Sequence, residues 1–396
     1  MDLIQTLSKL VSIPSVNPMG GPGRGPEYGE SRLTDYLQSL LKELGIEVAR
    51  FPVEAGRDNL IARLDGHVPP ARGGRVLLFA AHQDTVPVEG MTIEPFAAKV
   101  SGGRLYGRGA CDVKGGMAAM LTALARLARQ RPAGMPTVVL GLTVNEECGF
   151  TGAKALVKLW TERPGGILPC KPHAAIVAEP TGLQVVVAHK GVVRWRTHTT
   201  GRAAHSSRPE AGQNAIYRMA RIVQALERYH LEVLGKRPPH ALCGPATLSV
   251  GTIRGGASVN TVPDRCTIEI DRRLMPQECT QEAYQEAVDF LAKETPMVPP
   301  PIHDPPFMLG SPLSDVENRG LADRLASAAR PVICECRQIG VPYATDAAFF
   351  AAGGVPSVVF GPGSIEQAHT ADEWIALDQL EQAAEIYYRA ALVDWP

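Results

Sequence analysis

No apolar run in the chain approaches the roughly 18 residues that a helical membrane span needs, so a spanning helix is not expected. The opening residues, MDLIQTLSKLVSIPSV, carry an acid at position two. They lack the basic start and extended apolar core of a secretory signal, and the expected location is the cytoplasm. Neither sign of charge dominates, with 40 Lys plus Arg against 41 Asp plus Glu. Without a block of like charge there is no basic groove for nucleic acid, and a small molecule is the expected partner. The eight cysteines are scattered, and a chain of this size without a signal needs no disulfide framework. The CEC at 334–336 lacks the second pair that a zinc finger requires; on a strand, its two thiols would share a face and pack. LYGRGACDVKGG places Gly107, Gly109, Gly115 and Gly116 around Asp112 but matches neither GxGxxG nor GxxxxGK[ST], which argues against a phosphate loop.

A length of 396 residues favours two domains over one. Residues 31–44 carry helical apolar spacing closed by Gly45, and IEVARF follows as a strand. NLIARL, RVLLFAA, TVVLGLTV and AAIVA are short apolar runs separated by helical stretches such as KGGMAAMLTALARLARQ. This alternation predicts an α/β fold with a largely parallel central sheet buried on both faces. The middle of the chain reads differently. GVVRWRTHTT, QNAIYRMARIVQALERYH, ATLSVGTIRG, RCTIEIDRR, TQEAYQEAVDFLAKE and PMVPPPI follow the order β-α-β-β-α-β, the split βαβ (ferredoxin-like) plan of a small α+β domain. We therefore expect a catalytic domain in two parts, 1–188 and 306–396, interrupted by an inserted domain over 189–305. The proline-rich PMVPPPIHDPP reads as the exit linker.

Acids and imidazoles gather at the ends of the apolar strands. RVLLFAAHQDTVP ends on His82 and Asp84, two apart and hence on one face of an extended chain. Asp84 is thus placed to accept the far N–H of a metal-ligating His82 and to fix its tautomer. The glycines around Asp112 suit a sharp turn that presents a single carboxylate. TVVLGLTVNEECGF runs straight into Glu146 and Glu147, AAIVAEPTG supplies Glu179, and GPGSIEQAHTADEW supplies His369. Each pattern alone is compatible with a plain turn or a solvated loop. Together they offer two imidazoles and three ligand-capable carboxylates, besides one glutamate left to move protons. Two divalent cations would bring four positive charges, and three carboxylates would leave about one. Oxygen and nitrogen donors suit zinc, cobalt or manganese better than copper(I). Cys111 and Cys148, beside these acids, are expected to pack.

The joint order of AAHQDTVP, GRGACDVKGG, NEECG, AEPTG, GRAAHSSRPEAGQNAI, GGASVNTVPD, DRRLMP and QAHTADEW resembles that of the di-zinc peptidases and deacylases. That family includes acetylornithine deacetylase, succinyl-diaminopimelate desuccinylase, aminoacylase and the bacterial glutamate carboxypeptidase, and the likeness covers nearly the whole chain. It implies a di-zinc exopeptidase-like catalytic domain with an inserted lid or dimerisation domain, and a homodimer formed through that insertion. By position, it implies that His82, Asp112 and Glu179 hold one metal and that Asp112, Glu147 and His369 hold the other. Zinc leads, with cobalt or manganese as alternatives. Glu146 matches the general base and Asp84 the residue that orients His82. The peptide bond after Asp112 is expected to be cis. His205 matches a histidine that reaches into the partner subunit's site to stabilise an oxyanion. Asn260 and Arg273 match substrate-binding groups, the guanidinium suiting a substrate carboxylate, while Arg272 is expected to face away. The amides of the turn at Gly361, Gly363 and Ser364 are candidates for the same carboxylate. Ala81 and Cys111 depart slightly from the family pattern, and neither change removes a ligand. The implied substrate is an N-acylated amino acid or a short peptide, with an acetylornithine deacetylase-like activity favoured by GPGSIEQAH.

Overall fold

Leu33, Leu37 and Leu41 recur every four residues and are fully buried, a stripe that winds Ser31–Glu43 into an amphipathic helix. Gly45, at φ +69°, stops it. The Ile46 N–H donates to the Leu41 carbonyl at 3.0 Å and the Gly45 N–H to the Lys42 carbonyl at 2.9 Å, the paired bonds of a Schellman end. Burying each such leucine contributes about 1.5–3 kcal/mol relative to leaving it in water. The computed structural model describes residues 1–21, 23, 25–162 and 165–393. They divide into two units, one comprising Met1–Val187, Asp315–Ile339 and Thr345–Pro396, the other Ala188–Ser314 with Gly340–Ala344.

The first unit is built on an eight-stranded sheet. Its centre is four strands, Thr137–Thr143, Val76–His82, Ala174–Val177 and Ser357–Val359, joined by parallel pairing. Strand Arg57–Leu64 pairs antiparallel with Thr137–Thr143, and Glu47–Glu54 antiparallel with Arg57–Leu64. At the other side the sheet continues through Val185–His189 to Gln338–Val341, where the chain passes into the second unit. Val76–His82 and Thr137–Thr143 are buried at every position, which is why they read as continuous apolar runs rather than alternating ones. One face packs on helices that include Leu3–Ser12, Gly115–Gln130 and Leu377–Ala390, the other on Thr151–Thr161 and Ala347–Ala352. The chain approaches closely where Gly115 and Gly116 open a helix. A Cβ on Gly115 would lie 2.4 Å from Ile375 Cδ1, and one on Gly116 would lie 2.8 Å from Ala178 Cβ.

The second unit is an antiparallel sheet in the order Thr247–Gly255, Arg265–Leu274, Gly191–Thr200, Ile302–His303. Helices Ala215–Arg228 and Thr280–Glu294 pack on one face over Trp195, Ile222, Tyr229, Ile268 and Leu291. The Asn214 side chain caps the first helix by accepting the Tyr217 N–H. This unit runs past residue 305 because Met308–Gly310 also pairs with Gly191–Thr200. PMVPPPIHDPP is therefore not an exit linker: its Ile302 and His303 are paired to His198 and Thr197. A second expectation also fails. Cys334 and Cys336 precede the strand Gln338–Val341 rather than lying on one, so the two thiols share no strand face.

Candidate metal centre

The four parallel strands bring their carboxyl ends together, the usual site position in sheets of this kind. His82 ends one strand, Glu146 and Glu147 follow the next, Glu179 follows the third, and the fourth leads through a turn to His369. His82 Nε2 lies 3.0 Å from Asp112 Oδ1. His369 Nε2 lies 3.3 Å from Asp112 Oδ2 and 3.3 Å from Glu147 Oε1. The two oxygens of Asp112 thus face different imidazoles. Ligand atoms of His82, Asp112 and Glu147 all lie within 4.8 Å of one another. Glu146 and Glu179 are buried beside them and within electrostatic reach.

Asp112 is presented by a turn. Gly109 sits at φ +81°, and the Asp112–Val113 peptide bond is cis. A residue not singled out from the sequence, Glu373, holds this turn. Its buried carboxylate accepts the N–H groups of Gly109, Cys111 and Asp112 at 3.0, 2.9 and 3.0 Å and the Arg108 guanidinium at 2.6 Å. Glu373 lies inside QAHTADEW, where nothing distinguishes it from a solvated acid. Asp346 was also missed. It is buried and accepts the Thr143 hydroxyl at 2.7 Å, and burial pushes its carboxyl up to about 6. Its signal was a lone acid before the apolar AAFFAA.

Asp84 does not meet His82 as expected. The His82 Nδ1 partner is the Asp84 backbone carbonyl at 2.8 Å, while the nearer carboxylate oxygen stands 3.9 Å away. The carboxylate is turned to the N–H groups of Glu146 and Glu147, each at 3.1 Å. The strand ends at His82, and beyond it the face-sharing rule for extended chains no longer holds. The carbonyl acceptor selects the tautomer with hydrogen on Nδ1, leaving Nε2 free to bind.

Two of the turn amides are engaged within the fold. The Gly361 N–H donates to Thr181 Oγ1 at 3.0 Å and the Gly363 N–H to Gln379 Oε1 at 2.9 Å. Ser364 Oγ accepts the Glu366 N–H at 3.2 Å. Glycine is needed here for contact instead. A Cβ on Gly361 would lie 2.5 Å from the Glu179 carbonyl oxygen, and one on Gly363, itself at φ +87°, 2.5 Å from Cys111 Sγ. Cys111 packs as expected, buried with its thiol on the Ser364 carbonyl.

His205, Asn260 and Arg273 belong to the second unit. His205 is exposed, with Nδ1 2.8 Å from Ser207 Oγ, and the Ser206 N–H donates to the Asn260 carbonyl at 3.0 Å. The two residues are thus neighbours across the short ladder Ala204–His205 with Thr261–Val262. Arg273 is held by Asp271 at 2.7 Å. Arg272 faces inward and is fully buried, paired with Glu278 at 2.6 Å.

Burial, then the charge of Glu179, pushes the Glu146 carboxyl well up. Burial and Asp112 do the same to Glu179. Burial raises Glu147 against the opposing His369 hydrogen bond. Burial alone would lower His82, but the Asp112 hydrogen bond and the surrounding carboxylates outweigh it and raise its basicity. Hydrogen bonds to Asp112 and Glu147 raise His369 to about 10. Among the described residues, no lysine or arginine pairs with Asp112, Glu146, Glu147 or Glu179. The cluster therefore demands positive charge from elsewhere. Its oxygen and imidazole donors, divided about Asp112, fit divalent cations.

A buried acid and imidazole cluster of this kind, at the mouth of a parallel sheet, suits a metal centre, and the family and relatives it shares mark a metal-dependent hydrolase acting on amide bonds. Residues 78–393 match the model of Peptidase family M20/M25/M40, and the chain belongs to that family. It is 31% identical to the acetylornithine deacetylase of Myxococcus xanthus over 371 residues, covering 90% of each chain. To that of Vibrio parahaemolyticus serotype O3:K6 it is 30% identical over 409 residues, covering 98% of this chain and 97% of the relative. In fold it is similar to an M20 family metallo-carboxypeptidase from Sulfolobus solfataricus, with TM-score 0.79, 20% identity and 99% of both chains covered. A dinuclear metal binding peptidase from Bacillus subtilis matches with TM-score 0.69 and 19% identity, covering 98% of this chain and 96% of that one.

Proposed function

We propose that the chain is a two-metal deacylase of N-acylated amino acids, with acetylornithine the leading substrate and arginine synthesis the corresponding pathway. The observation that carries the reading is the division between two adjacent glutamates. Their N–H groups share the Asp84 carboxylate, while Glu147 turns to His369 and Glu146 is buried among acids that hold its carboxyl well up. His82, Asp112 and Glu179 would hold one ion and Asp112, Glu147 and His369 the other, zinc first, with cobalt or manganese as alternatives. When bound, the ions polarise the acyl carbonyl and acidify the attacking water. Glu146 takes the proton from that water and returns it to the leaving amine. Asp84 keeps both glutamates in register through their backbone.

His205 and Asn260 are assigned to the oxyanion and the substrate, and Arg273 to a substrate carboxylate that would compete with Asp271. The inserted unit is assigned as lid and dimerisation domain of a cytoplasmic homodimer. An outer strand supports this: Thr247–Gly255 is largely exposed along its length, and such an edge is available for pairing. The acetylornithine preference is supported by the relatives named above. Free-amine release by zinc- or cobalt-reconstituted protein, compared across acetylornithine, succinyl-diaminopimelate, acetylmethionine and a glutamate-ended dipeptide, tests it. Preference for acetylornithine is expected. Preference for another substrate would keep the mechanism and overturn the assignment.

A further inference from the structure

The backbone that carries Glu146 and Glu147 hangs on the Asp84 carboxylate. Among the described residues one side chain donates to that carboxylate: Asn17 Nδ2, at 2.7 Å from Asp84 Oδ2. The same nitrogen donates to Asn145 Oδ1 at 2.9 Å. Asn17 is fully buried, and its Oδ1 accepts the Met19 N–H at 2.8 Å. The amide orientation is therefore determined, because a flipped group would set its oxygen against two acceptors. Asn17 lies outside residues 78–393, the span matched by the family model.

Its backbone is tied to the segment it serves. The Asn17 N–H donates to the Thr85 carbonyl at 2.8 Å and the Thr85 N–H to the Ser15 carbonyl at 3.1 Å. The Ser15 hydroxyl donates to the Gln83 carbonyl at 2.7 Å. Residues 15–17 are thus zipped along 83–85. On the other side, Asn145 holds a left-handed backbone at φ +61° immediately before Glu146. Its Nδ2 donates to Glu54 and Thr151, both at 3.0 Å, and Asn17 is the donor to its Oδ1. One carboxamide therefore bridges two supports: the carboxylate that anchors both glutamate amides, and the left-handed residue that aims them. The Asp84 carbonyl, bonded to His82 Nδ1, belongs to the same residue.

We propose that Asn17 is a positioning residue for the proton-transferring Glu146, acting through Asp84 and Asn145; this rests on the role given to Glu146 above. Asparagine suits the task because one neutral nitrogen supplies two donor hydrogens to two acceptors. A leucine of similar size would take the Asn17 donor from the buried Asn145 Oδ1 and leave Asp84 Oδ2 with the Glu147 N–H but without its side-chain donor, and an aspartate would oppose Asp84 with a second anion.

The test compares Asn17→Leu and Asn17→Ser with wild type as full-length, metal-loaded protein. It reads kcat and KM on the acyl amino acid panel, metal per chain, and amide hydrogen exchange at Glu146 and Glu147, the last also after chelation. For Asn17→Leu, kcat should fall about 10- to 100-fold, the scale of a small misplacement at a reacting centre, with KM changed less than about threefold. Metal content should stay at the wild-type value. The Glu146 and Glu147 amides should exchange about tenfold faster or more, while those of Thr137–Thr143 stay protected. Asn17→Ser, which keeps one donor, should fall between, and it decides the matter if the leucine variant does not fold. Unchanged exchange at Glu146 and Glu147, uniformly faster exchange across the sheet, or a KM rise at constant kcat would each overturn the proposal. If wild type turns over no member of the panel, the deacylase reading fails, and the exchange measurement still decides the place of Asn17.

Discussion

Burial leaves its mark on single titratable groups away from the cluster as well. His189 is fully buried in the second unit with Nδ1 on the Lys190 carbonyl at 3.0 Å, and burial pushes its imidazole down to about 4. Above about pH 6.5 the ring is neutral in the folded and unfolded chains, and it contributes no pH dependence. As pH falls from 6.5 towards 4, the unfolded chain binds the proton first, so stability is lost across that window. The expected loss is on the order of 3 kcal/mol. Chemical denaturation of wild type and His189→Gln between pH 7 and 4 should show the variant losing less; parallel curves would refute the assignment. In the cluster the balance runs the other way, because carboxylates surround His82 and His369 and raise both. Which side chains are titratable could be read from the sequence. Which of them lie within a hydrogen bond of a carboxylate could not, since His369 meets Glu147 across 222 residues of chain.

The turn from Gly109 to Asp112 shows how an element with few internal bonds is held from outside. Its N–H groups cannot all bond within so tight a bend, and Glu373 gathers three of them together with Arg108. Glu373→Ala would leave a nearly buried guanidinium and three amides without that acceptor. A destabilisation of about 3–5 kcal/mol is expected, with weaker metal binding through Asp112. A denaturant midpoint shift worth less than about 1 kcal/mol would show that solvent or a neighbour replaces the carboxylate. Elements with strong periodicity were the legible ones. The helix Thr280–Glu294 and the strand Gly191–Thr200 follow the sequence pattern residue for residue. The short strands Ile302–His303 and Met308–Gly310 were not fully legible, because two or three paired residues carry no period and the prolines around them read as linker. The Asp84 carboxylate meets the Glu146 and Glu147 amides rather than His82 for a related reason: the face-sharing rule for extended strands does not reach two residues past the strand end at His82.

For the whole chain, the order of motifs carried more than any motif by itself. His82, Asp112, Glu146, Glu147, Glu179 and His369 come from segments up to 287 residues apart (369 − 82), and the parallel strands make them neighbours by ending at one edge. Asn17, Glu373 and Asp346 stayed hidden because they act by supporting other residues, and a supporting amide or acid looks like any other until the fold is known. The account turns on Glu146 moving a proton while other residues hold the metals. The most direct measurement is therefore turnover set against metal content for Glu146→Gln in fully reconstituted protein, beside wild type. We expect the variant to retain two equivalents of divalent metal per chain, as wild type does, with kcat reduced about 10²- to 10⁴-fold. Turnover near that of wild type, or activity and metal lost together, would contradict it.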